Sequence, residues 1–294
     1  MINPVRERAL EIINKAKDIK INKDKIKELA EGWKKEKITV PKWPAYFHFK
    51  SLDYFFILDS INFCFWTLKG KKWNINYNGK NYDGYFALAL ALKYFFETKK
   101  PDLKYFSQIS QKEFNSILQG GNNLQFLSKR WQIVRAVSKE IIKKYGTTKN
   151  LLESTEGKFS QLVPKIKKLP YFQDPFLKRA QILACDIYGV GLADFKDPDY
   201  LTGFADYKVP QILNYLGILE YSRFLEGKIN NKTLIAKDSR QEKEIRAATI
   251  WAIELLRKEL DNKFYSFEID WILWNKAQSL NLKKPYHLTK TTCY

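Results

Sequence analysis

The chain has 294 residues, 45% of them hydrophobic and 15% aromatic, which excludes a disordered protein and allows a substantial core. Its 51 Lys and Arg residues exceed its 32 Asp and Glu residues, and the resulting net charge of +19 attracts nucleotides, nucleic acid or acidic membranes without choosing among them. Three scattered cysteines and two histidines exclude a disulfide framework and give no metal-ligand spacing, so we expect a reducing, cytoplasmic location, no metal and no cofactor.

Helical periodicity covers most of the chain, and capping residues, glycines and prolines mark where helices end. In chain order we predict helices over about 4–20, 23–33, 84–98, 110–120, 123–145, 158–168, 174–189, 209–225, 240–260 and 267–279. Two short alternating runs flank Asn78-Gly79, which is typical of a type I′ β-hairpin. The apolar runs are short and interrupted by charges, so we expect no membrane-spanning segment.

No repeat or linker divides the sequence. We therefore predict an all-α fold with a single domain over residues 1–294 and one small β-hairpin. Within it, N-terminal helices over 1–40 precede a pocket-forming core over 41–294.

The segment FADYKVP places one carboxylate, that of Asp206, between Phe204 and Tyr207 and just ahead of a helix. Pro210 suits the first turn of a helix and disfavours the helical conformation at Val209, so FADYK should form a turn or an extended lead-in. An acid on such a loop, walled by aromatic rings, can stabilise a cation on a bound ligand. The spacing fits equally well the alternative that Asp206 only caps the helix.

Seven strings of the sequence, in order, carry a resemblance to a known family. They are DSINFCFW at 59–66, YDGYFALALAL at 82–92, FLKRAQILACD at 176–186, LTGFADYKVPQILNYLGIL at 201–219, SRQEKEIRAATIWAIELLR at 239–257, IDWILW at 269–274 and PYHLTKTTCY at 285–294. Over nearly the whole chain from about residue 40, the sequence resembles the queuosine salvage proteins, the queuosine 5′-phosphate N-glycosylases (hydrolases).

The resemblance implies a mainly helical enzyme similar in fold to the helix-hairpin-helix DNA glycosylases. It implies hydrolysis of the N-glycosidic bond of queuosine 5′-monophosphate, which releases the 7-deazaguanine base queuine for reinsertion into transfer RNA. The aspartate of the family's FADY motif maps onto Asp206, and the lysine of its KRAQ motif, which holds the 5′-phosphate, maps onto Lys178. A pocket histidine of the family corresponds to His48. Where the family has an acidic pair, this chain has Ser128-Lys129.

The residue types fit this chemistry, because a carboxylate can stabilise, trap or hydrate the positive ribose that forms when a glycosidic bond breaks. Candidates to bind the base are the aromatic residues Phe63, Phe65, Trp66, Tyr85, Phe204 and Tyr207 and the polar residues Asn62 and Asp83. Candidates to bind the phosphate are His48, Lys178 and Arg179, the last two because cations in a first helical turn oppose the helix dipole and so suggest a further role. Tyr286, His287 and Lys290 are candidates to close over the pocket.

Each of these residues also has an ordinary reading. The aromatic run would be core, His48 a core histidine, Asp83 the end of the hairpin, and the two cations solvated surface.

Two other functions compete with the nucleotide N-glycosylase. The net charge and the implied fold allow a nucleic-acid-binding protein or a DNA-glycosylase-like enzyme, but no basic arm supports stable nucleic-acid binding. A helical interaction protein without chemistry is the third reading. We expect a small-molecule nucleotide as the partner, and no membrane.

Overall fold

The computed structural model describes residues 3–68, 71–280, 282 and 284–294. Over these ranges the protein is mostly helical, with fourteen α-helices and four short strands. The helices are α1 (Pro4–Ile13), α2 (Lys23–Lys35), α3 (Leu52–Ser60), α4 (Gly84–Lys99), α5 (Leu103–Gln108), α6 (Gln111–Ile117), α7 (Leu127–Tyr145), α8 (Thr148–Glu153), α9 (Phe159–Lys167), α10 (Lys178–Gly189), α11 (Lys208–Tyr215), α12 (Arg223–Asn230), α13 (Arg240–Glu259) and α14 (Ser266–Ser279). The strands are β1 (Ile19–Ile21), β2 (Asn74–Tyr77), β3 (Lys80–Asp83) and β4 (Leu219–Tyr221).

The chain forms two compact units. The first unit comprises Met1–Lys42, Asp197–Thr292 and Tyr294, and the second comprises Trp43–Lys196 and Cys293. A single domain over 1–294 was predicted from the sequence, and it stays a prediction. Within the described part of the chain, no helix is both long enough and apolar enough to cross a membrane.

The core of the first unit is built around the long helix α13. Its apolar side chains recur every three or four residues, at Ile245, Ala248, Ala252 and Leu256, and all four are buried. This spacing places them along one side of the helix, where the side chains of α2, α11 and α14 pack against them. Helix α13 therefore supports the segment around Asp206, because α11, which follows that segment, packs against it.

The first unit also contains a small antiparallel sheet that the sequence did not predict. Strand β1 pairs with β4, with Ile19 opposite Tyr221 and Ile21 opposite Leu219. The prediction of one hairpin was therefore incomplete. The physical reason is that each strand has only three residues and its partner lies about two hundred residues away, so no local turn signals the pairing.

The second unit surrounds helix α3. Every residue from Tyr54 to Ser60 is buried, which makes α3 apolar on all sides apart from Asp59 and Ser60. Helices α4, α7, α8 and α10 pack around it. A helix of this kind belongs in the centre of a core.

The predicted hairpin is confirmed in the second unit. Strands β2 and β3 pair in antiparallel register, with Asn74 opposite Asp83. At the turn, Asn78 and Gly79 have φ values of 51° and 79°. Positive φ at both central residues is what a type I′ turn requires.

Several helix ends differ from the prediction. The first helix stops at Ile13 instead of near residue 20, because the following residues form β1. The helices predicted near 209–225 are α11 and α12, which are separated by Gly217, with a φ of 73°, and by β4. Helix α5 was missed altogether. The cap at Ser239 is confirmed, since its Oγ accepts a hydrogen bond from the Glu242 amide at 3.3 Å.

The start of α10 was also misplaced. The sequence put Asp174 at the cap and Pro175 in the first turn, but the helix begins at Lys178, after Leu177 with a φ of 54°. Asp174 still holds the start of the helix, because its carboxylate accepts from the Lys178 amide at 2.9 Å and from the Phe176 amide at 3.2 Å. The capping residue was identified correctly and the boundary was wrong by a few residues.

Gly203, three residues before Asp206, brings the backbone directly onto α13. A Cβ at this position would lie 2.4 Å from Ile253 Cδ1 and 3.4 Å from its Cβ. Ile253 is fully buried, so its side chain has little room to move.

We predict that Gly203→Ala lowers the free energy of unfolding by about 1–3 kcal/mol, the usual effect of overpacking a core. The matched control is Gly227→Ala in α12, where an added Cβ meets no atom within 4 Å. That variant should gain about 0.5–1 kcal/mol, because alanine is the better helix former. Urea denaturation measures both, and equal gains in the two variants would contradict the close packing of Gly203.

Candidate active site

The predicted site residues are divided between the two units. Phe204, Asp206 and Tyr207 belong to the first unit. The second unit holds the remaining nine, His48, Asn62, Phe63, Phe65, Trp66, Asp83, Tyr85, Lys178 and Arg179.

The carboxylate of Asp206 lies at the N-terminus of α11. Its Oδ1 accepts hydrogen bonds from the amides of Lys208 and Val209, each at 2.8 Å, and the residue is 9% exposed. The capping geometry that the sequence offered as an alternative is thus present. It also suits a charged catalytic group, since two N–H donors and a helix N-terminus stabilise negative charge.

The backbone that carries Asp206 is fixed on both sides. The Phe204 amide donates to Asp270 Oδ2 at 2.9 Å, and the Ala205 carbonyl accepts from Arg246 Nε at 3.1 Å. Asp270 lies on α14 and Arg246 on α13, and both are buried. Two helices of the first unit therefore hold the loop in one position.

Arg246 is itself held by a buried polar cluster. Its guanidinium carbon lies 4.4 Å from the centre of the Tyr294 ring, and its NH1 lies 3.5 Å from Glu242 Oε1. The Tyr294 hydroxyl lies 3.1 Å from His287 Nε2. Burial, with a further contribution from Arg246, lowers the pKa of His287 to about 3, so this histidine is neutral at pH 7.

Tyr286, in the PYHLTKTTCY segment, lies close to Tyr207, one of the predicted base-binding aromatic residues of the first unit. The rings of Tyr207 and Tyr286 are 4.8 Å apart and inclined at 40°. Lys208 Nζ lies 5.5 Å from the centre of the Tyr286 ring. Of the three residues predicted to close over the pocket, Tyr286 lies beside Tyr207. His287 is buried in the Arg246 cluster, and Lys290 is exposed.

In the second unit, three cations hold the segment that follows α3. Arg130 donates to the carbonyls of Ile61, Phe63 and Cys64, Arg179 donates to that of Ser60, and Lys178 Nζ donates to that of Asn62 at 3.2 Å. Every carbonyl from Ser60 to Cys64 thus accepts from a cationic side chain. These bonds satisfy backbone groups that would otherwise be buried without a partner, because this segment is neither helix nor strand.

Arg130 and Arg179 lie near the starts of two helices, Arg130 in α7 and Arg179 in α10. Each helix follows a residue with positive φ, Phe126 at 59° and Leu177 at 54°. Each also carries a Lys-Arg pair in its first turns, within FLSKRWQ and FLKRAQ. This shared pattern is the sequence signal that could have identified the role of Arg130, which the sequence analysis did not include among the site residues.

Arg179 is one of the three cations that bind these backbone carbonyls. Its terminal nitrogens donate to the carbonyls of Ser60 and Tyr171, and it is 2% exposed. Its guanidinium carbon also lies 5.3 Å from the centre of the Phe63 ring. This geometry favours a structural role for Arg179 over the predicted phosphate contact.

The predicted aromatic wall of the second unit is deeply buried. Phe63, Phe65 and Trp66 are 1%, 8% and 2% exposed. The Arg130 guanidinium carbon lies 4.2 Å from the centre of the Phe63 ring and 5.1 Å from that of Phe65. These contacts match the reading of NFCFW as core, and base stacking by these rings stays a prediction.

Asp83 stands at the end of β3 with an exposed side chain. Its carboxylate lies 3.5 Å from Lys72 Nζ. This matches the alternative that Asp83 fixes the end of the hairpin, and a contact with a base stays a prediction.

His48, Tyr85 and Asn62 are brought together by two acids that sequence reasoning missed, Asp59 and Asp186. His48 Nε2 lies 2.8 Å from the Tyr85 hydroxyl, which lies 3.0 Å from Asp186 Oδ2. Asn62 Nδ2 donates to Asp59 Oδ1 at 3.2 Å. The available signal was an acidic residue inside a strongly apolar run, FFILDSINF for one and ILACDIYG for the other.

Asp59 and Asp186 are fully buried neighbours that interact with each other. Burial raises the pKa of Asp59 to about 7, although Asn62, Lys178 and Arg179 oppose the change. Burial and the nearby Asp59 raise the pKa of Asp186 well above its usual range. The two carboxyl groups lie within hydrogen-bond reach of each other, and a bond between two acids needs a proton, so at least one member of the pair is protonated.

Comparison with known proteins identifies the family. Residues 45–294 match the queuosine salvage protein family, and the chain belongs to it. A protein of Sphaerobacter thermophilus named queuosine 5′-phosphate N-glycosylase/hydrolase is 33% identical over 96% of this chain and 95% of its own length. Proteins of the same name from Dictyostelium discoideum and Mus musculus are 31% and 30% identical, over 99% and 83% of this chain and 98% and 82% of their own lengths.

The buried acid pair predicts a pH dependence of stability. Since the pKa of Asp59 is raised from 3.8 to about 7 on folding, its contribution to stability is present below about pH 3.8 and is lost as the pH rises through 7. Asp59→Asn removes this titration. The stability of the variant relative to the wild type should therefore increase as the pH is raised from 5 to 8.

Urea denaturation of both proteins at several pH values measures this difference. Asp83→Asn, which removes one negative charge from an exposed position of the same unit, is the matched control. A difference for Asp59→Asn that rises with pH no more than that of the control would contradict the raised pKa of Asp59.

Proposed function

We propose that this chain hydrolyses the N-glycosidic bond of queuosine 5′-monophosphate and releases queuine for salvage into transfer RNA. The observation that carries the proposal is Asp206, a carboxylate on a loop held by two helices, in a chain that belongs to the queuosine salvage family. The names of relatives that align over most of their length support this substrate. The similarity of the fold to the helix-hairpin-helix DNA glycosylases, and a cytoplasmic location, are parts of the same proposal.

The reaction breaks the bond between the base nitrogen and C1′ of the ribose. The bonding electron pair leaves with the base, and positive charge develops on C1′ and the ring oxygen. Water supplies hydroxide to C1′ and a proton to the base, so the products are ribose 5-phosphate and queuine. The carboxylate of Asp206 would stabilise the cation, trap it covalently or activate the water.

The geometry of Asp206 suits all three roles. Its Oδ1 is held by two amides, which fixes the orientation of the carboxylate before the substrate binds. A group aligned in advance loses no free energy to reorganisation when charge develops. Phe204 and Tyr207, which flank Asp206 in the sequence, are the proposed base-binding residues of this unit.

For the phosphate, the proposal rests on Lys178. His48 has both ring nitrogens occupied, by Pro44 and Tyr85, and the terminal nitrogens of Arg179 are bound to carbonyls. Lys178 carries a compact ammonium charge, and its Nζ donates to the Asn62 carbonyl. Stable nucleic-acid binding is not expected, because the proposed ligand is a single nucleotide.

The first test compares Asp206→Asn with the wild type. The asparagine Oδ1 can still accept from the Lys208 and Val209 amides, so the helix cap survives while the negative charge is lost. We expect hydrolysis of queuosine 5′-monophosphate to fall by about 10²–10³-fold, the usual loss when transition-state charge is no longer stabilised. Mass spectrometry of queuine and ribose 5-phosphate measures the rate.

Asp261→Asn, which changes an exposed carboxylate of the same unit, is the control and should keep the wild-type rate. Thermal unfolding of both variants should resemble that of the wild type. Full turnover by a well-folded Asp206→Asn would show that this carboxylate is not the catalytic group.

A second test addresses the support of the loop. Arg246→Lys keeps a positive charge but loses the Nε–H that binds the Ala205 carbonyl. We expect kcat to fall by about 10-fold with KM nearly unchanged, because a small displacement of a catalytic group slows the chemical step. Arg223→Lys, at an exposed position on α12, is the matched control, and an equal kcat for the two variants would contradict the role of Arg246.

A further inference from the structure

The hydrogen bonds of His48 restrict where its protons lie. Nδ1 is 3.0 Å from the Pro44 carbonyl, which can only accept. Nε2 is 2.8 Å from the Tyr85 hydroxyl, which has one hydrogen to give. Burial lowers the pKa of His48 to about 4, with a further contribution from Lys93, so the ring is neutral at pH 7 and carries a single proton.

A neutral His48 must place that proton on Nδ1. If Nδ1 lacked a proton, its lone pair would face the lone pairs of the Pro44 carbonyl at 3.0 Å, which is repulsive. With the proton on Nδ1, Nε2 is an acceptor. The hydrogen of the Tyr85 hydroxyl must then point at His48 and cannot be donated to Asp186.

The remaining bond of the chain then has only one possible donor. Asp186 Oδ2 lies 3.0 Å from the Tyr85 oxygen, and two oxygen atoms at that distance need a hydrogen between them. Since Tyr85 has used its only hydrogen, Asp186 must supply one.

We propose that Asp186 is a protonated carboxylic acid in the folded protein and that it directs a one-way hydrogen-bond chain, Asp186 to Tyr85 to His48 to the Pro44 carbonyl. This makes Asp186 a positioning residue for Tyr85 and His48. In this chain each of the three side chains donates one hydrogen bond to the next group, and the histidine has a single tautomer.

The surroundings of Asp186 favour its neutral form. It is 2% exposed, and the fully buried Asp59 stands within hydrogen-bond reach of it. Lys178 and Arg179 are the charged neighbours that oppose protonation of the pair, and the phenols of Tyr54 and Tyr85 also face it. Two buried acids in contact cannot both be ionised without a large desolvation cost.

For the reaction, this inference rests on the proposed function. Tyr85 is a predicted base-binding residue and His48 a predicted pocket residue, and both are held in place by a donor that stays protonated through neutral pH. The chain also leaves His48 with no N–H for a phosphate. The role assigned to His48 therefore changes from binding phosphate to orienting Tyr85.

Nitrogen-15 NMR of the histidine side chains tests the chain directly, and the two histidines make assignment simple. His287→Gln identifies the His48 signals by elimination. We expect His48 at pH 7 to be neutral with its proton on Nδ1, and to titrate only near pH 4. A cationic ring, or a proton on Nε2, would overturn the proposal.

Substitutions at position 186 supply the second readout. The side-chain amide of Asp186→Asn can donate to Tyr85 as the protonated acid does, so the His48 tautomer should be kept. Hydrolysis of queuosine 5′-monophosphate should stay within about threefold of the wild-type rate. Asp186→Leu has no donor to Tyr85, and we expect it to lose about 10-fold in kcat/KM while the Pro44 carbonyl keeps the His48 proton on Nδ1.

Activity alone does not separate the two states of Asp186, because the amide of Asp186→Asn can either donate to Tyr85 or accept from it. The His48 signals separate them, since Nε2 of His48 would carry a proton if Tyr85 donated to an ionised Asp186. Should Asp186→Leu fail to fold, Tyr85→Phe removes the donor to His48 Nε2, while the Pro44 carbonyl still keeps the proton on Nδ1. The nitrogen-15 signal of Nε2 should then move to that of an acceptor without a hydrogen bond, and an unchanged Nε2 signal would count against the chain.

The NMR result does not depend on the reaction. If the wild type fails to hydrolyse queuosine 5′-monophosphate but His48 has the expected tautomer, the proposed function fails and the protonation of Asp186 stands. If hydrolysis occurs and the tautomer is wrong, only the inference about Asp186 fails.

Discussion

The bond between the Asp206 carboxylate and the first amides of α11 is the interaction on which the candidate site depends. It joins the one acid of the FADY segment to a helix whose buried side, at Val209, Ile212 and Leu213, belongs to the core of the first unit. The orientation of the acid is therefore set by the packing of the core. A carboxylate on a flexible loop would have to be ordered during each catalytic cycle, whereas this one is ordered by folding.

In the second unit, polar backbone groups are buried inside an aromatic core and need hydrogen-bond partners. Arg130, Lys178 and Arg179 satisfy the carbonyls of an irregular segment, and the rings of that segment pack against the guanidinium groups. Networks of this kind favour a single conformation, because removing a member leaves a buried group without a partner. The acid pair beside them adds the one group, Asp186, whose protonation gives the network a direction.

Local signals in the sequence predicted local structure well. The Asn78-Gly79 turn, the Ser239 cap and the FADY segment ahead of a helix each depend on residues within a few positions of one another, and each is present. The pairing of β1 with β4 could not be predicted, since strands of three residues carry no signal for a distant partner. The ends of α1 and α10 were misplaced for a related reason, because the next element along the chain decides where a helix stops.

The same distinction between local and distant signals applies to the candidate site. Asp206 could be proposed from the sequence because its motif is contiguous, and its capping bonds, anticipated from spacing, are present. Asp59 and Asp186 were missed because their roles come from partners on other elements, His48, Tyr85 and Asn62, that no spacing brings together. The phosphate assignment of His48 relied on the resemblance, and that of Arg179 on its place in a first helical turn. Both ring nitrogens of His48 and the terminal nitrogens of Arg179 have hydrogen-bond partners within the unit, and the phosphate contact stays a prediction.

The most direct measurement is a crystal structure of Asp206→Asn with queuosine 5′-monophosphate bound. The account predicts that the side chain of residue 206 lies about 3–3.5 Å from C1′ of the ribose, the separation at which a group can act on the reacting atom. It also predicts that the amides of Lys208 and Val209 still bind that side chain. A ribose bound well beyond this distance, or a side chain turned away from the ligand, would contradict the central role given to Asp206.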